Sequence, residues 1–197
     1  MRRYMLLLPA ALFGIASAQE NAAPVSIPIL NSHFQGDVLF CAAGSNCSGP
    51  GATGWLCGPS TSVAKLSAVQ YPGVAPEGIY VAAIGGSYVT DSILQTLGAD
   101  VQANTTYTLK LSVGARADIP FTGYLAALLA GNVTLASRNA ATPVGGNFVT
   151  DVIVAKSGAN PPQLGQPLQI LVKSIGTGQV DISSVSLTAT PTTESGQ

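Results

Sequence analysis

Few residues in this sequence could carry acid–base or nucleophilic chemistry. His33 is the only histidine, so a Ser or Cys nucleophile has a single candidate base. It stands beside Phe34 in a predicted strand, where a hydrogen-bonded structural histidine is the favoured interpretation. A glycosidase would instead need two carboxyl groups at a set separation. The candidates for such a pair are Asp37, Glu77, Asp91, Asp100, Asp118, Asp151 and Asp181.

None of these carboxylates lies in a recognisable acid–base motif. Most fall at predicted turns or strand ends, where Asp commonly makes local hydrogen bonds. Gly85-Gly86 and Gly145-Gly146 are predicted to form turns. Neither pair belongs to a phosphate-binding strand–loop–helix unit, so neither predicts a phosphate site. The sequence therefore predicts no catalytic site, and we expect the chain not to be an enzyme.

The three cysteines, Cys41, Cys47 and Cys57, lie in one Gly-rich stretch. A zinc site lacks a fourth ligand at a suitable spacing. Three disulfide pairings stay open. We predict that Cys41 pairs with Cys57, since these two stand at the mouth of the loop and closing it would contribute about 3 kcal/mol. The shorter Cys41–Cys47 link is the alternative.

Sugar binding requires a simpler set of residues than catalysis does. Aromatic rings stack on pyranose faces, and a few polar groups bind the hydroxyls. The residues predicted to do this are Trp55, Tyr88, Arg116 and Tyr124. For Trp55 the alternative is a core residue beneath the Gly-rich loop.

The first 18 residues have the pattern of a secretory signal peptide. Arg2 and Arg3 precede an apolar run from Met5 to Ile15, and Ala16-Ser17-Ala18 forms a small-residue cleavage site. The sequence thus predicts a mature chain that begins at Gln19 and is secreted, or periplasmic in a Gram-negative host. No later apolar run has spanning length, so we expect no membrane span in the mature chain.

Charged residues are scarce, at 9% of the chain. Without the two leader arginines, six basic residues face nine acidic ones. Nucleic acid requires clustered basic side chains, and the sequence has no such cluster. Nucleic acid is therefore excluded as a partner.

Alternation of apolar and polar residues dominates the rest of the chain. In Thr106 to Val113, four apolar residues alternate with four polar ones, as in a strand with one buried face. Residues 123–130 and 133–137 flank a Gly-Asn turn and predict a hairpin. Residues 180–189 change phase near Ser183-Ser184, which predicts a β-bulge. About ten such strands predict an all-β, two-sheet antiparallel β-sandwich over residues 25–189, after a lead-in at 19–24 and before a polar tail at 190–197.

Several weak signatures follow one another in a familiar order. They are Asn31-Ser32-His33-Phe34, Gly54-Trp55, Ala75-Pro76-Glu77-Gly78, Ile93 to Leu97, Thr106 to Leu109, Leu164 to Leu168 and the closing Val180 to Leu187. In this order they resemble a galactose-binding-like jelly roll of the kind found in secreted carbohydrate-binding modules and related exported cell-wall proteins. The resemblance covers roughly residues 25–189.

The resemblance implies two facing sheets and often a structural calcium. Asp181 matches the closing calcium ligand of such modules, whereas Gln35 stands where an acidic ligand is common. Calcium takes 6–8 oxygens, so this loss would weaken the site.

The predicted function is a secreted, non-catalytic module that binds a polysaccharide or glycoconjugate. A structural or adhesive exported protein that acts through protein contacts is the alternative. A polysaccharide hydrolase or lyase on the same scaffold ranks third.

Overall fold

The computed structural model describes residues 22–35, 37, 51–73, 80–86 and 91–192. The predicted signal peptide, Cys41, Cys47 and Tyr88 lie outside these ranges, and export of the chain stays a prediction. Within the described part of the chain, no helix is long and apolar enough to cross a membrane.

The described residues form eleven β-strands. Their bounds are β1 Val25–Ile27, β2 Leu56–Cys57, β3 Thr61–Lys65, β4 Tyr80–Gly85, β5 Ser92–Asp100, β6 Thr105–Ala115, β7 Tyr124–Ala130, β8 Val133–Arg138, β9 Asn147–Lys156, β10 Pro167–Ser174 and β11 Gln179–Pro191.

The strands make two antiparallel sheets. The six-stranded sheet has the order β3-β4-β11-β6-β9, with β1 also paired to β11. The five-stranded sheet has the order β2-β5-β10-β7-β8. The predicted all-β sandwich is confirmed, with eleven strands where the sequence predicted about ten.

The alternation of apolar residues places the core between the sheets. Along β6, Tyr107, Leu109, Leu111 and Val113 all belong to the main buried cluster. The preceding strand β5 lies in the other sheet, so the short link between β5 and β6 crosses from one sheet to the other. The predicted hairpin is also confirmed, since β7 pairs directly with β8.

The predicted β-bulge in β11 is confirmed and decides which side chains leave the core. The register of β11 against β6 shifts between Ile182 and Ser184. Val180 and Ile182 face the core before the shift, and Val185 and Leu187 face it afterwards. Asp181 lies between two inward residues, so its side chain points to the outer face of the six-stranded sheet.

Candidate active site

Asp181 is a carboxylic acid buried on the outer face of a sheet. Only 1% of its surface is exposed. Its neighbours across the sheet are Ala83 on β4 and Gly114 on β6. Ala83 belongs to a second, smaller apolar cluster with Ala64 and Val81, packed by Leu66 and Phe148. The acid is therefore held among small apolar and aromatic groups.

Two side chains fix the orientation of this carboxyl group. The Tyr71 hydroxyl donates to Asp181 Oδ2 at 2.5 Å. Gln179, two residues earlier on β11, donates from Nε2 to Oδ1 at 2.7 Å. Each carboxyl oxygen thus accepts one hydrogen bond, and the plane of the group is set.

Burial decides the protonation of Asp181. Desolvation raises its pKa from 3.8 to about 6, against the opposing effect of the Tyr71 and Gln179 hydrogen bonds. Burial, followed by the adjacent Asp181 charge, also raises the pKa of the Tyr71 hydroxyl well above its usual range. Tyr71 therefore keeps its proton, and Asp181 holds one over a range of pH in which an exposed Asp would be ionised.

Aromatic rings cover the acid. The ring of Tyr71 stacks on that of Phe148, with centroids 4.6 Å apart and planes 21° apart. Phe148 lies directly over Gly114, its cross-strand neighbour, where a Cβ would overlap the phenyl ring. Tyr71 is buried, whereas Phe148 is only partly so. Phe148 is thus the part of this aromatic pair that is nearer to solvent.

An ion pair borders the site. Arg116 is 9% exposed and donates to Asp118 from Nε at 2.9 Å and from Nη2 at 2.6 Å. The ion pair lowers the pKa of Asp118 and raises that of Arg116. The guanidinium also favours the charged form of Asp181, but burial outweighs this effect.

Backbone hydrogen bonds join the three loops that carry these groups. Ala117 N donates to Gln70 O at 2.9 Å, which ties the Arg116 loop to the turn that carries Tyr71. Gly146 N donates to Ala115 O at 2.7 Å, which ties the same loop to the start of β9 and Phe148. The groups around Asp181 are therefore positioned by one connected rim.

Replacing Gly114 with Ala should disturb this site more than an ordinary Gly→Ala change. The new Cβ would displace Phe148 from its stack on Tyr71, and overpacking of this kind costs about 1–3 kcal/mol. Urea denaturation measures the loss. Gly98→Ala on β5 is the matched control, since nothing lies within 4 Å of a Cβ there. Equal stability of the two variants would contradict the described packing.

An opening of about 580 Å³ lies beside the first turn of the described chain. It is lined by Asn31, Ser32, His33, Gln35 and Thr53. The nearby Asp37 carboxylate accepts hydrogen bonds from Asn31 and Thr53. The opening therefore combines a polar lining with a carboxylate already in use, and it is less suited to acid catalysis than the Asp181 site.

The carboxyl oxygens of Asp181 already accept hydrogen bonds. Tyr71 donates to Oδ2 and Gln179 donates to Oδ1. The described ranges contain no group of three or more His, Cys, Asp or Glu residues placed to hold a metal ion. Calcium takes 6–8 oxygens, and calcium at Asp181 stays a prediction from the sequence.

The three described residues among those predicted to bind sugar are all buried and present no exposed ring surface. Trp55 is 7% exposed, packs on Phe34 and donates from Nε1 to Leu30 O at 3.1 Å. Tyr124 is fully buried, and its hydroxyl hydrogen-bonds Asp151. Arg116 lies beside the Asp181 site, and Tyr88 is outside the described residues.

Cys57 carries a free thiol, so the predicted Cys41–Cys57 disulfide is not seen. Its Sγ accepts from Ala52 N at 3.3 Å and donates to Trp55 O at 3.6 Å. Burial raises the pKa of this thiol. The Cys57 thiol thus stabilises the turn at residues 52–57 through these two hydrogen bonds.

Comparison with known families identifies the class of protein to which this chain belongs. A family model described as HpiC1-like, HpiC1 cyclase, matches residues 25–188. The chain therefore belongs to the HpiC1-like cyclase family. No curated protein matches the sequence.

Solved cyclases are similar in fold over most of the chain. The Stig cyclase Fisc from Fischerella sp. TAU, in complex with (3Z)-3-(1-methyl-2-pyrrolidinylidene)-3H-indole, superposes with a TM-score of 0.77 at 27% identity and covers 87% of this chain and 100% of its own. A cyclase from Fischerella sp. TAU in complex with 4-(1H-indol-3-yl)butan-2-one gives 0.74 at 27% identity, covering 86% and 99%.

The carbohydrate-binding resemblance holds for the fold alone. The CBM22-1 xylan-binding domain of Paenibacillus barcinonensis Xyn10C gives a TM-score of 0.52 at 13% identity, covering 89% of this chain and 100% of its own. The jelly-roll part of the resemblance is thus supported. A sandwich of this shape hosts many activities, so the fold carries no function by itself.

Three predictions from the sequence are corrected by the family. The non-catalytic function and the expectation that the chain is not an enzyme are wrong, because the chain belongs to a family of cyclases. The polysaccharide or glycoconjugate partner is wrong as well, because the related cyclases were solved with small indole compounds. The buried Asp181 was not predicted as a catalytic candidate of this kind, because it has neither a histidine nor a second carboxylate beside it in a recognisable motif.

Proposed function

We propose that this chain is a cyclase that closes a ring in a small indole-bearing substrate, with Asp181 as the general acid. The observation that carries the proposal is a buried carboxyl group with a pKa of about 6, held under two aromatic rings. The indole class comes from the compounds bound by the related cyclases.

The chemistry requires no co-reactant. The protonated Asp181 donates its proton to a π bond of the substrate side chain, which leaves an electrophilic carbon. An indole carbon attacks it, and a carbon–carbon bond closes the ring. The indole carbon then loses its proton, either to the Asp181 carboxylate or to water, so substrate and product are isomers. General acids contribute about 10²–10⁴-fold to such a step.

The groups around Asp181 stabilise the positive charge that develops on the substrate and the negative charge that develops on the carboxylate. The faces of Phe148 and Tyr71 carry negative π density, which stabilises a nearby cation. Tyr71 and Gln179 hold the carboxyl group by donating to its two oxygens. The same two hydrogen bonds strengthen as Asp181 becomes a carboxylate, so they favour proton release to the substrate.

The proposal is tested with the full chain and a series of indoles that carry an alkene side chain at C3. We expect a product of unchanged mass and altered retention by liquid chromatography and mass spectrometry. Asp100→Asn, a change at an exposed strand end, is the matched control and should behave as wild type. Isomer formation no faster than in buffer across the whole series would count against a cyclase.

A further inference from the structure

A second cavity opens between the two sheets, well away from Asp181. Its volume is about 270 Å³. Tyr107 and Ala155 form its floor, and both belong to the main buried cluster. Tyr107 faces the core on β6, seven residues from Gly114, which lies beside Asp181 on the outer face. At a rise of about 3.3 Å per residue the two sites are roughly 23 Å apart along the strand.

The apolar floor of the cavity is buried. Tyr107 and Val101 are each 1% exposed and Ala155 is 5% exposed, so the cavity reaches deep side chains of the core. Protein interiors are close-packed, and a void of this size forfeits dispersion contacts at its lining. An apolar molecule seated there would restore those contacts.

One polar group in the floor has an unused donor. The Tyr107 oxygen accepts from Gln102 N at 2.7 Å. No described residue accepts the Tyr107 hydroxyl proton, whereas the neighbouring Ser157 hydroxyl donates to Gln102 O at 2.6 Å. Buried hydroxyl donors normally find an acceptor. The Tyr107 proton is therefore available to an acceptor atom inside the cavity.

One basic residue lies at the rim. Lys156, the last residue of β9, is the one charged residue among those that line the cavity, and no described carboxylate pairs with it. It follows the inward Ala155, so its side chain leaves the outer face of β9, and it can reach the cavity mouth around the end of this edge strand. The other polar side chains at the rim are those of Asn160 and Gln163. An apolar body with a negatively charged head would match the floor, the Tyr107 donor and Lys156 together.

We infer that this cavity is a second ligand site, which takes a small apolar carboxylate. Ligand pockets commonly measure about 300–1,000 Å³, so a cavity slightly below this range suits a single-ring compound. The carboxylate accepts from the Tyr107 hydroxyl and lies near the Lys156 ammonium, while the ring contacts Ala155, Val101 and Leu135. The inference is independent of the proposed cyclase activity.

Isothermal titration of the full chain with benzoate, and with benzyl alcohol as its neutral isostere, tests the inference. We expect one benzoate per chain and tighter binding of benzoate than of the alcohol. Tyr107→Phe should weaken benzoate about tenfold, because a hydrogen bond to a charged group is lost. Lys156→Gln should remove most of the preference for the charged ligand, whereas Lys110→Gln on the outer face of β6 should change nothing.

Ala155→Leu should abolish binding of both compounds by filling the floor. Where that variant does not fold, Tyr107→Phe decides, since it keeps the shape of the side chain. Absence of saturable binding, unchanged affinity in Tyr107→Phe, or displacement of benzoate by 4-(1H-indol-3-yl)butan-2-one would each overturn the second site.

Discussion

Replacing Asp181 with Asn should lower kcat for ring closure by about 100-fold or more, because the amide cannot donate the acidic proton. The shape of the side chain is kept, and Tyr71 can still donate to its oxygen. We therefore expect the affinity for 4-(1H-indol-3-yl)butan-2-one to stay within about threefold of wild type. Single-turnover kinetics measures the rate of ring closure, and titration calorimetry measures the affinity for the indole compound.

The separation of kcat from affinity distinguishes an acid from a merely structural residue. A variant that loses binding and turnover in parallel would indicate that Asp181 only shapes the site. Wild-type turnover in Asp181→Asn would remove Asp181 from the mechanism altogether. Asp100→Asn, measured beside it, controls for the general effect of losing one carboxylate.

The stability difference between wild type and Asp181→Asn should depend strongly on pH. The pKa of Asp181 is raised from 3.8 to about 6 on folding, so the folded chain binds more protons than the unfolded chain between these values. Relative to Asp181→Asn, wild type therefore gains stability as the pH falls through this window and loses it as the pH rises. The free energy of unfolding should change by about 3 kcal/mol across the window, because a tenfold change in an acid dissociation constant corresponds to about 1.36 kcal/mol.

Urea denaturation of both proteins, from about pH 4 to about pH 8, measures this difference. Asp118→Asn provides a control that should show little pH dependence over this range. The Arg116 ion pair lowers the pKa of Asp118 below 3.8, so its contribution to stability is already present above the unfolded pKa and is lost only at lower pH. A wild-type minus Asp181→Asn difference that stays flat with pH would mean that Asp181 titrates as an exposed acid.

The strand pattern was readable from the sequence because one face of each strand is buried. The period-2 alternation of β6 and the phase change in β11 both record which side chains meet the core. Tyr124 shows how the same rule could have been applied further. It alternates with the inward Ala126 and Leu128, and this pattern favours a core residue over a surface ring.

The site could not be predicted from the sequence, because Tyr71 and Phe148 are distant from Asp181 along the chain. Tyr71 lies 110 residues from Asp181, and Phe148 reaches Gly114 through the pairing of β6 with β9. One signal was present in the sequence: Asp181 interrupts an apolar strand between Val180 and Ile182. An acid at such a position is either a ligand or a group whose pKa is shifted, and only the positions of Tyr71 and Gln179 decide between these roles.

The location of the active site is tested most directly by a crystal structure of the chain with 4-(1H-indol-3-yl)butan-2-one. We predict that the indole ring contacts Phe148 and Tyr71, and that a polar atom of the ligand lies within hydrogen-bond distance of the Asp181 carboxyl group. An indole bound elsewhere, with the Asp181 site unchanged and empty, would contradict the assignment of catalysis to this face of the six-stranded sheet.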